Sequence, residues 1–343
     1  MAATSRLARW RVFDRLLAVF ALLVATALLP APVASAATSG AVHNVAVEVG
    51  SPPLIGTLTL PVGRGPFPAV LLLAGSGPED QNEDIGSNHP LSDIAKGLAA
   101  KGVASLRYNK RTYQYPESIN PATFTATDEY VPDALAGLTL LRHQAEIDPD
   151  HLFVLGHSQG GTFAPKVAAE APYVAGVILL AAASEPFGPD LVRQETYLST
   201  LPGQLGQQAK ASLRQVKTIA QQIGCSNLAK DSPTSTLFGG TGPAYWLDLC
   251  HYQPVATARA LHQPILVLQG GRDYQVTVAD DLRLWEKGLA GKHNVSIRVF
   301  PADDHLFLSG TGRPTPAEYQ VAGHVDPNVI ATIATFVDHY RYT

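Results

Sequence analysis

The sequence predicts an α/β chain: a doubly wound, mostly parallel sheet, led by an antiparallel pair of strands and interrupted after its sixth strand by a helical lid. Three observations predict it. Continuous apolar runs such as Val70–Leu73, Leu152–Leu155 and Ile265–Leu268 recur, as expected of strands covered on both faces. Segments with apolar residues at helical spacing alternate with those runs. The alternation then lapses from about Glu185 to Tyr252 into a stretch rich in Gln, Ser, Leu and Gly, and afterwards resumes.

The elements follow in order. Ala41–Val49 and Leu54–Leu60 alternate apolar and polar residues, the pattern of a half-exposed antiparallel pair. Val70–Leu73 is the first buried strand, and Leu91–Ala100 carries a helical stripe. Val103–Tyr108 is the next strand and Val131–Gln144 the next helix. Leu152–Leu155 and Val174–Leu180 are two further strands, with a short helix after Ser158 between them. The lid insert, approximately residues 185–255, reads as helices. Beyond it come the strand Ile265–Leu268, a helix over Val278–Leu289, the strand Val295–Phe300 and a final helix over Pro327–Tyr340. No internal repeat or low-complexity linker divides residues 37–343, which read as one domain.

Residues 1–36 differ from the rest. Arg6, Arg9, Arg11 and Arg15 precede an apolar stretch from Leu16 to Leu29, followed by Ala34-Ser35-Ala36. Basic start, short apolar middle and small-x-small end read as a secretory signal peptide cleaved after Ala36. The apolar run of about 14 residues falls short of the ~20 a spanning helix needs, although an uncleaved anchor is the competing reading. Trp10 separates Arg9 from Arg11, so no twin-arginine signal is read. The expectation is a secreted protein with no stable membrane association after cleavage. Of the 343 residues 46% are hydrophobic and 16% charged, and the formal net charge is −4, which gives no reason to expect nucleic acid as a partner. Export favours a bond between the two cysteines, Cys225 and Cys250, over two unpaired thiols. No metal site is expected.

The chemistry centres on Leu152–Gly161, LFVLGHSQGG, in which Gly156-His157-Ser158-Gln159-Gly160 joins a strand to a helix. Gly-x-Ser-x-Gly in that setting is a nucleophile elbow: the serine takes a strained conformation, and side chains at the flanking glycines would collide with neighbouring backbone. A serine hydroxyl needs a base, itself oriented by an acid, and the expected chain order is serine, acid, histidine. Asp273 follows the strand Ile265–Leu268 and His305 follows the strand ending at Phe300, so both fall at the carboxyl ends of strands. Asp303 and Asp304 are the competing acids, and His324 is the competing base. His157, beside the serine, reads as structural. An oxyanion needs two donors: the Gln159 amide and one from Ala74-Gly75-Ser76-Gly77-Pro78, for which the Ser76 amide is chosen. Tyr197, Phe238, Tyr245 and Trp246 of the insert either line a pocket or pack the lid, packing being the expectation.

With those residues placed, the chain resembles the α/β-hydrolase superfamily from Val42 to Tyr340. More closely it is similar to bacterial serine hydrolases of dienelactone-hydrolase-like or serine-aminopeptidase-like type. Four strings carry the likeness: GSGPEDQNE (Gly75–Glu83), LRYNKRT (Leu106–Thr112), YWLDL (Tyr245–Leu249) and LQGGRDYQV (Leu268–Val276). Two positions depart from the group's pattern. Gln81 stands in place of Arg and Asn109 in place of Asp, so neutral hydrogen bonds are expected where the group has an ion pair. The resemblance implies hydrolysis of a small-molecule ester or amide without a cofactor. The reading is a carboxylic ester hydrolase with Ser158, Asp273 and His305 as its triad. A serine peptidase or aminopeptidase is the alternative, with Glu185 as the acid that would anchor a free amine, and a non-catalytic binding protein is the third.

Overall fold

The computed structural model describes residues 42–233 and 241–340. Its centre is an eight-stranded sheet of order β1-β2-β4-β3-β5-β6-β7-β8. Strands β1 (His43–Val49) and β2 (Leu54–Leu60) form an antiparallel hairpin, and β2 pairs antiparallel with β4 (Ala104–Tyr108). From β4 onward every neighbour is parallel: β3 (Phe67–Leu73), β5 (Ile147–His157), β6 (Gly176–Leu180), β7 (Ile265–Gly270) and β8 (Val295–Phe300).

Side chains of a strand alternate between faces, so a strand buried on both sides feeds two cores. In β3, Ala69, Leu71 and Leu73 join one apolar cluster, while Val70 and Leu72 join the other. The second cluster is closed by α1 (Pro90–Ala99), through Leu91, Ile94 and Leu98, and by the C-terminal helix, through Ile333 and Phe336. The first is closed by helices on the opposite face. These are α3 (Ala126–Arg142), which follows the single turn α2 (Arg111–Gln114), α4 (Gln159–Glu170), and later α9 (Arg283–Leu289), whose Trp285 is fully buried.

Among the described residues, four helices lie between β6 and β7: α5 (Phe187–Ser199), α6 (Gly203–Gln222), α7 (Pro243–His251) and α8 (Pro254–Ala260). Cys225, just past α6, is bonded to Cys250 in α7, with Cα atoms 5.8 Å apart. Arg193 fastens α5 to the body: it meets Glu185, Asp190, Asp280 and Asp281, of which the last two lie in a wide helical turn before α9. The C-terminal helix α10 spans Pro327–His339. Among the described residues no helix is long and apolar enough to cross a membrane. Residues 1–36 and Phe238 lie outside the described residues.

Several boundaries differ from the sequence reading. Helix α3 begins at Ala126 rather than Val131, because the Thr125 hydroxyl accepts from the Asp128 N–H while Asp128 accepts from the Thr125 N–H, a reciprocal cap one turn upstream. Strand β5 begins at Ile147, which pairs with Phe67 ahead of an irregularity in register. The helix after Ser158 begins at Gln159, in agreement with the sequence reading.

Candidate active site

Parallel strands place their carboxyl ends on one edge of the sheet, and four of the loops leaving that edge carry the site. Gly75 and Ser76 follow β3, Ser158 follows β5, Asp273 follows β7 and His305 follows β8. Strands β3 and β5 are neighbours, so the Gly75 loop lies directly against Ser158. A Cβ built on Gly75 would come 3.2 Å from the Ser158 Cβ and 2.6 Å from Glu83 Oε1.

Ser158 has φ 51° and ψ −122°, a conformation that L-residues adopt only when their surroundings impose it. The imposition is visible: a Cβ on Gly156 would lie 2.1 Å from the Gly160 carbonyl oxygen, so only glycine admits so tight a strand-to-helix turn. The Ser158 N–H is anchored on Leu180 O of β6 at 2.9 Å. Helix α4 starts at the next residue and presents its positive end to the serine. Among the described residues the His305 ring bonds to Asp273 and no hydrogen bond joins it to the Ser158 side chain; contacts of that kind are commonly loose before substrate binds.

Asp273 and His305 are brought together. Asp273 Oδ2 accepts from His305 Nδ1 at 2.7 Å and from Gln269 Nε2 at 3.1 Å, while Oδ1 accepts the Gln275 and Val276 amides at 2.8 and 3.0 Å. The acid side chain is fully buried and the imidazole nearly so. With Nδ1–H committed to the carboxylate, Nε2 carries the lone pair that can take a proton. Two main-chain bonds, Gly271 N to Phe300 O and Arg272 N to Asp303 O, both 2.8 Å, tie the two loops together.

The competitors face elsewhere. Asp304 Oδ1 accepts the Leu306 and Leu308 amides, and burial pushes its carboxyl up to about 6 against those two bonds. Asp303 accepts from the Ser309 hydroxyl at 2.6 Å. His324 is solvent-exposed and meets Asp93. Glu185 accepts from Arg193 Nη1 at 2.5 Å. Cys225 and Cys250, which lie beside His251, have their sulfurs bonded to each other and so offer no thiolate to a metal.

His157 is structural, as the sequence reading has it, but its partners were not legible there. Its ring donates from Nδ1 to Glu83 Oε1 at 2.8 Å and from Nε2 to the His305 carbonyl at 2.8 Å. Both nitrogens are donors, so the ring is an imidazolium. Burial opposes that charge, but the Glu83 carboxylate overrides it and raises the ring to about 9. The same Glu83 oxygen accepts the Gly75 N–H at 2.8 Å. One buried ion pair therefore joins the Gly75 loop, the residue before Ser158 and the backbone of His305. Glu83, itself at φ 57°, was visible in sequence only as the last letter of a family string.

A second buried network lies under the Gly75 carbonyl and comprises Lys110, Tyr130, Glu129 and Tyr245. Of the aromatic residues of the insert, Tyr245 belongs to it. Trp246 packs against Phe187 with ring centroids 5.3 Å apart, and Tyr197 stacks on Tyr274. The two departures from the family strings meet as neutral partners: the Gln81 amide donates to Asn109 Oδ1 at 2.9 Å, and the Gln81 side chain accepts from the Thr57 hydroxyl.

With this geometry in place, comparison with known proteins is informative. The family model described as serine aminopeptidase, S33, matches residues 89–309. The chain belongs to this family. A curated relative of the serine aminopeptidase family chain, esterase EstD of Thermotoga maritima, is 38% identical over 284 residues, covering 83% of this chain and 65% of the relative. The chain thus spans about two thirds of that protein's length. Solved structures agree on the fold. Est1E of Butyrivibrio proteoclasticus superposes with a TM-score of 0.56 at 16% identity, covering 87% of this chain and 99% of that one. An esterase of Pyrococcus furiosus gives 0.53 at 16%, covering 91% and 97%. The mostly parallel eight-stranded sheet with its helical insertion after β6 is the α/β-hydrolase fold of this serine hydrolase family.

Proposed function

We propose that the chain is an exported carboxylic ester hydrolase acting through an acyl-serine intermediate. The observation that carries this reading is the buried 2.7 Å bond from His305 to Asp273, at the sheet edge where Ser158 stands in its strained turn. Ser158 Oγ attacks the ester carbonyl carbon while its proton passes to His305 Nε2. Asp273 keeps the ring in the required tautomer and stabilises the imidazolium that forms. The oxyanion is received by the Ser76 and Gln159 main-chain amides. His305 then protonates the departing alcohol, and a water, deprotonated by the same ring, releases the acid and restores the serine.

The likeness to esterase EstD supports an ester rather than a peptide substrate. The family's description favours a peptidase, yet Glu185, the acid that would anchor a free amine, is already engaged by Arg193. We further assign residues 1–36 as a signal removed on export; the Cys225–Cys250 bond suits an oxidising compartment.

Ser158→Ala is expected to lower kcat on a short-chain p-nitrophenyl ester by about 10⁶-fold. Hydrolysis by the variant at the wild-type rate would overturn the assignment. Assaying esters and aminoacyl amides side by side separates the esterase from the peptidase.

A further inference from the structure

The peptide linking Gly75 to Ser76 is gripped from behind by a buried ammonium. Lys110 sits two residues past β4 and is 4% exposed. Its Nζ donates to Gly75 O at 2.8 Å and to the Tyr130 hydroxyl at 2.9 Å, and lies 3.1 Å from Glu129 Oε1. An ammonium has three N–H groups, and here each has an acceptor. The Tyr130 hydroxyl donates to the same Gly75 carbonyl at 2.6 Å, so both lone pairs of that oxygen are occupied. On the other side of Gly75, its N–H is held by Glu83 at 2.8 Å.

Geometry gives this grip a consequence. A trans peptide is planar, and its C=O and the following N–H point in opposite directions. A carbonyl fixed by two donors therefore fixes the direction of the Ser76 N–H. The ammonium donating to the carbonyl oxygen also draws electron density along the amide and strengthens the N–H as a donor. We propose that Lys110, with Tyr130, is a positioning residue for ester hydrolysis: it sets the plane of the Gly75–Ser76 peptide and polarises the amide that receives the oxyanion. This rests on the reading of the Ser76 amide as an oxyanion donor.

The counter-charge extends the arrangement into the insert. Glu129 Oε1 accepts from the Thr112 hydroxyl at 2.8 Å, and Oε2 from the Tyr245 hydroxyl at 2.8 Å. Tyr245 lies in α7, and its hydroxyl in turn accepts from the Gln159 side chain at 3.1 Å. The residues bearing the two proposed oxyanion donors are thus joined through one buried chain of contacts. A lysine serving only as an ion-pair partner would not need the main-chain oxygen behind the oxyanion loop, and such pairs are commonly replaceable by apolar residues without loss of stability.

The test uses the full chain with three variants. Lys110→Met with Glu129→Gln removes both charges together and so avoids leaving a lone buried anion. Tyr130→Phe removes one of the two donors to Gly75. Ser76→Pro deletes the amide hydrogen itself. Each is assayed for kcat and KM on a p-nitrophenyl ester and for inhibition by an alkyl trifluoromethyl ketone, whose adduct with serine carries an oxyanion. Loss of a whole oxyanion donor costs about 100- to 1000-fold, so misorienting one is expected to lower kcat about 10- to 100-fold in the double variant and about 3- to 10-fold in Tyr130→Phe. KM is expected to stay near wild type, and ketone affinity to fall by the same factor as kcat. Wild-type kcat and ketone affinity in Tyr130→Phe, and in the double variant where it folds, would overturn the inference, whatever their melting temperatures. An inactive Ser76→Pro beside fully active Lys110 and Tyr130 variants sinks only the positioning role. An active Ser76→Pro sinks the oxyanion assignment and this inference with it.

Discussion

Asp273 uses its two oxygens differently: Oδ1 collects main-chain amides, and Oδ2 collects the His305 ring and the Gln269 amide. An asparagine keeping its oxygen on the main-chain side would point an NH₂ at both His305 Nδ1 and Gln269 Nε2. The ring would then have to present its lone pair to the amide and its proton to the serine, the wrong tautomer for a base. Asp273→Asn is therefore expected to lower kcat by about 10⁴-fold with little change in KM, read from steady-state kinetics. His157 lends itself to a pH experiment. Its folded value of about 9 lies above the 6.5 of a free imidazole, so its stabilising contribution is complete below pH 6.5 and is lost as pH rises through 9. The change is on the order of 3 kcal/mol. Urea unfolding at pH 6 and pH 9.5 should show wild type losing more stability than His157→Gln; equal losses would mean that the Glu83 pair is not what retains the proton.

At the scale of elements, strands were easier to read than helix starts. Continuous runs such as Val70–Leu73 have few alternatives once both faces are covered, so the parallel strands fall where the apolar residues do. Helix starts depend on polar detail: Thr125 and Asp128 cap each other ahead of any apolar stripe, and the periodicity beginning at Val131 does not reveal them. The turn over Val278–Leu282 is wider than an α-helix and merges into α9, where the apolar spacing suggested a single helix. The disulfide belongs to this scale as well. It closes a segment of sequence separation 25 between the end of α6 and α7, and on the chain-entropy account contributes about 3.5 kcal/mol. Reduction, or the double serine variant, is expected to lower the unfolding free energy by about 2–4 kcal/mol in denaturant titrations. No change would place its role outside folding stability.

For the whole molecule, one rule carries the candidate site: parallel strands deliver their loops to one edge, so residues 158, 273 and 305 can be placed together from chain order alone. The supports behind them were not legible in that way. Lys110, Glu129, Tyr130 and Tyr245 come from a loop, two adjacent positions of α3 and an inserted helix, and Glu83 meets His157 across a separation of 74 residues. Such contacts have no period and no fixed spacing. They arise from folding: Glu83 and Lys110 show in the sequence only as letters in longer strings, and Glu129 and Tyr130 fall in none of them. The position of Tyr245 also bears on anyone wishing to retarget the proposed activity. Exchanging the segment between β6 and β7 for that of a relative is an obvious way to alter what the proposed esterase admits, but the transplant also removes the phenol that completes the hydrogen bonding of Glu129 beneath the candidate site. A chimera built without an equivalent hydroxyl would inherit a new entrance and a damaged floor.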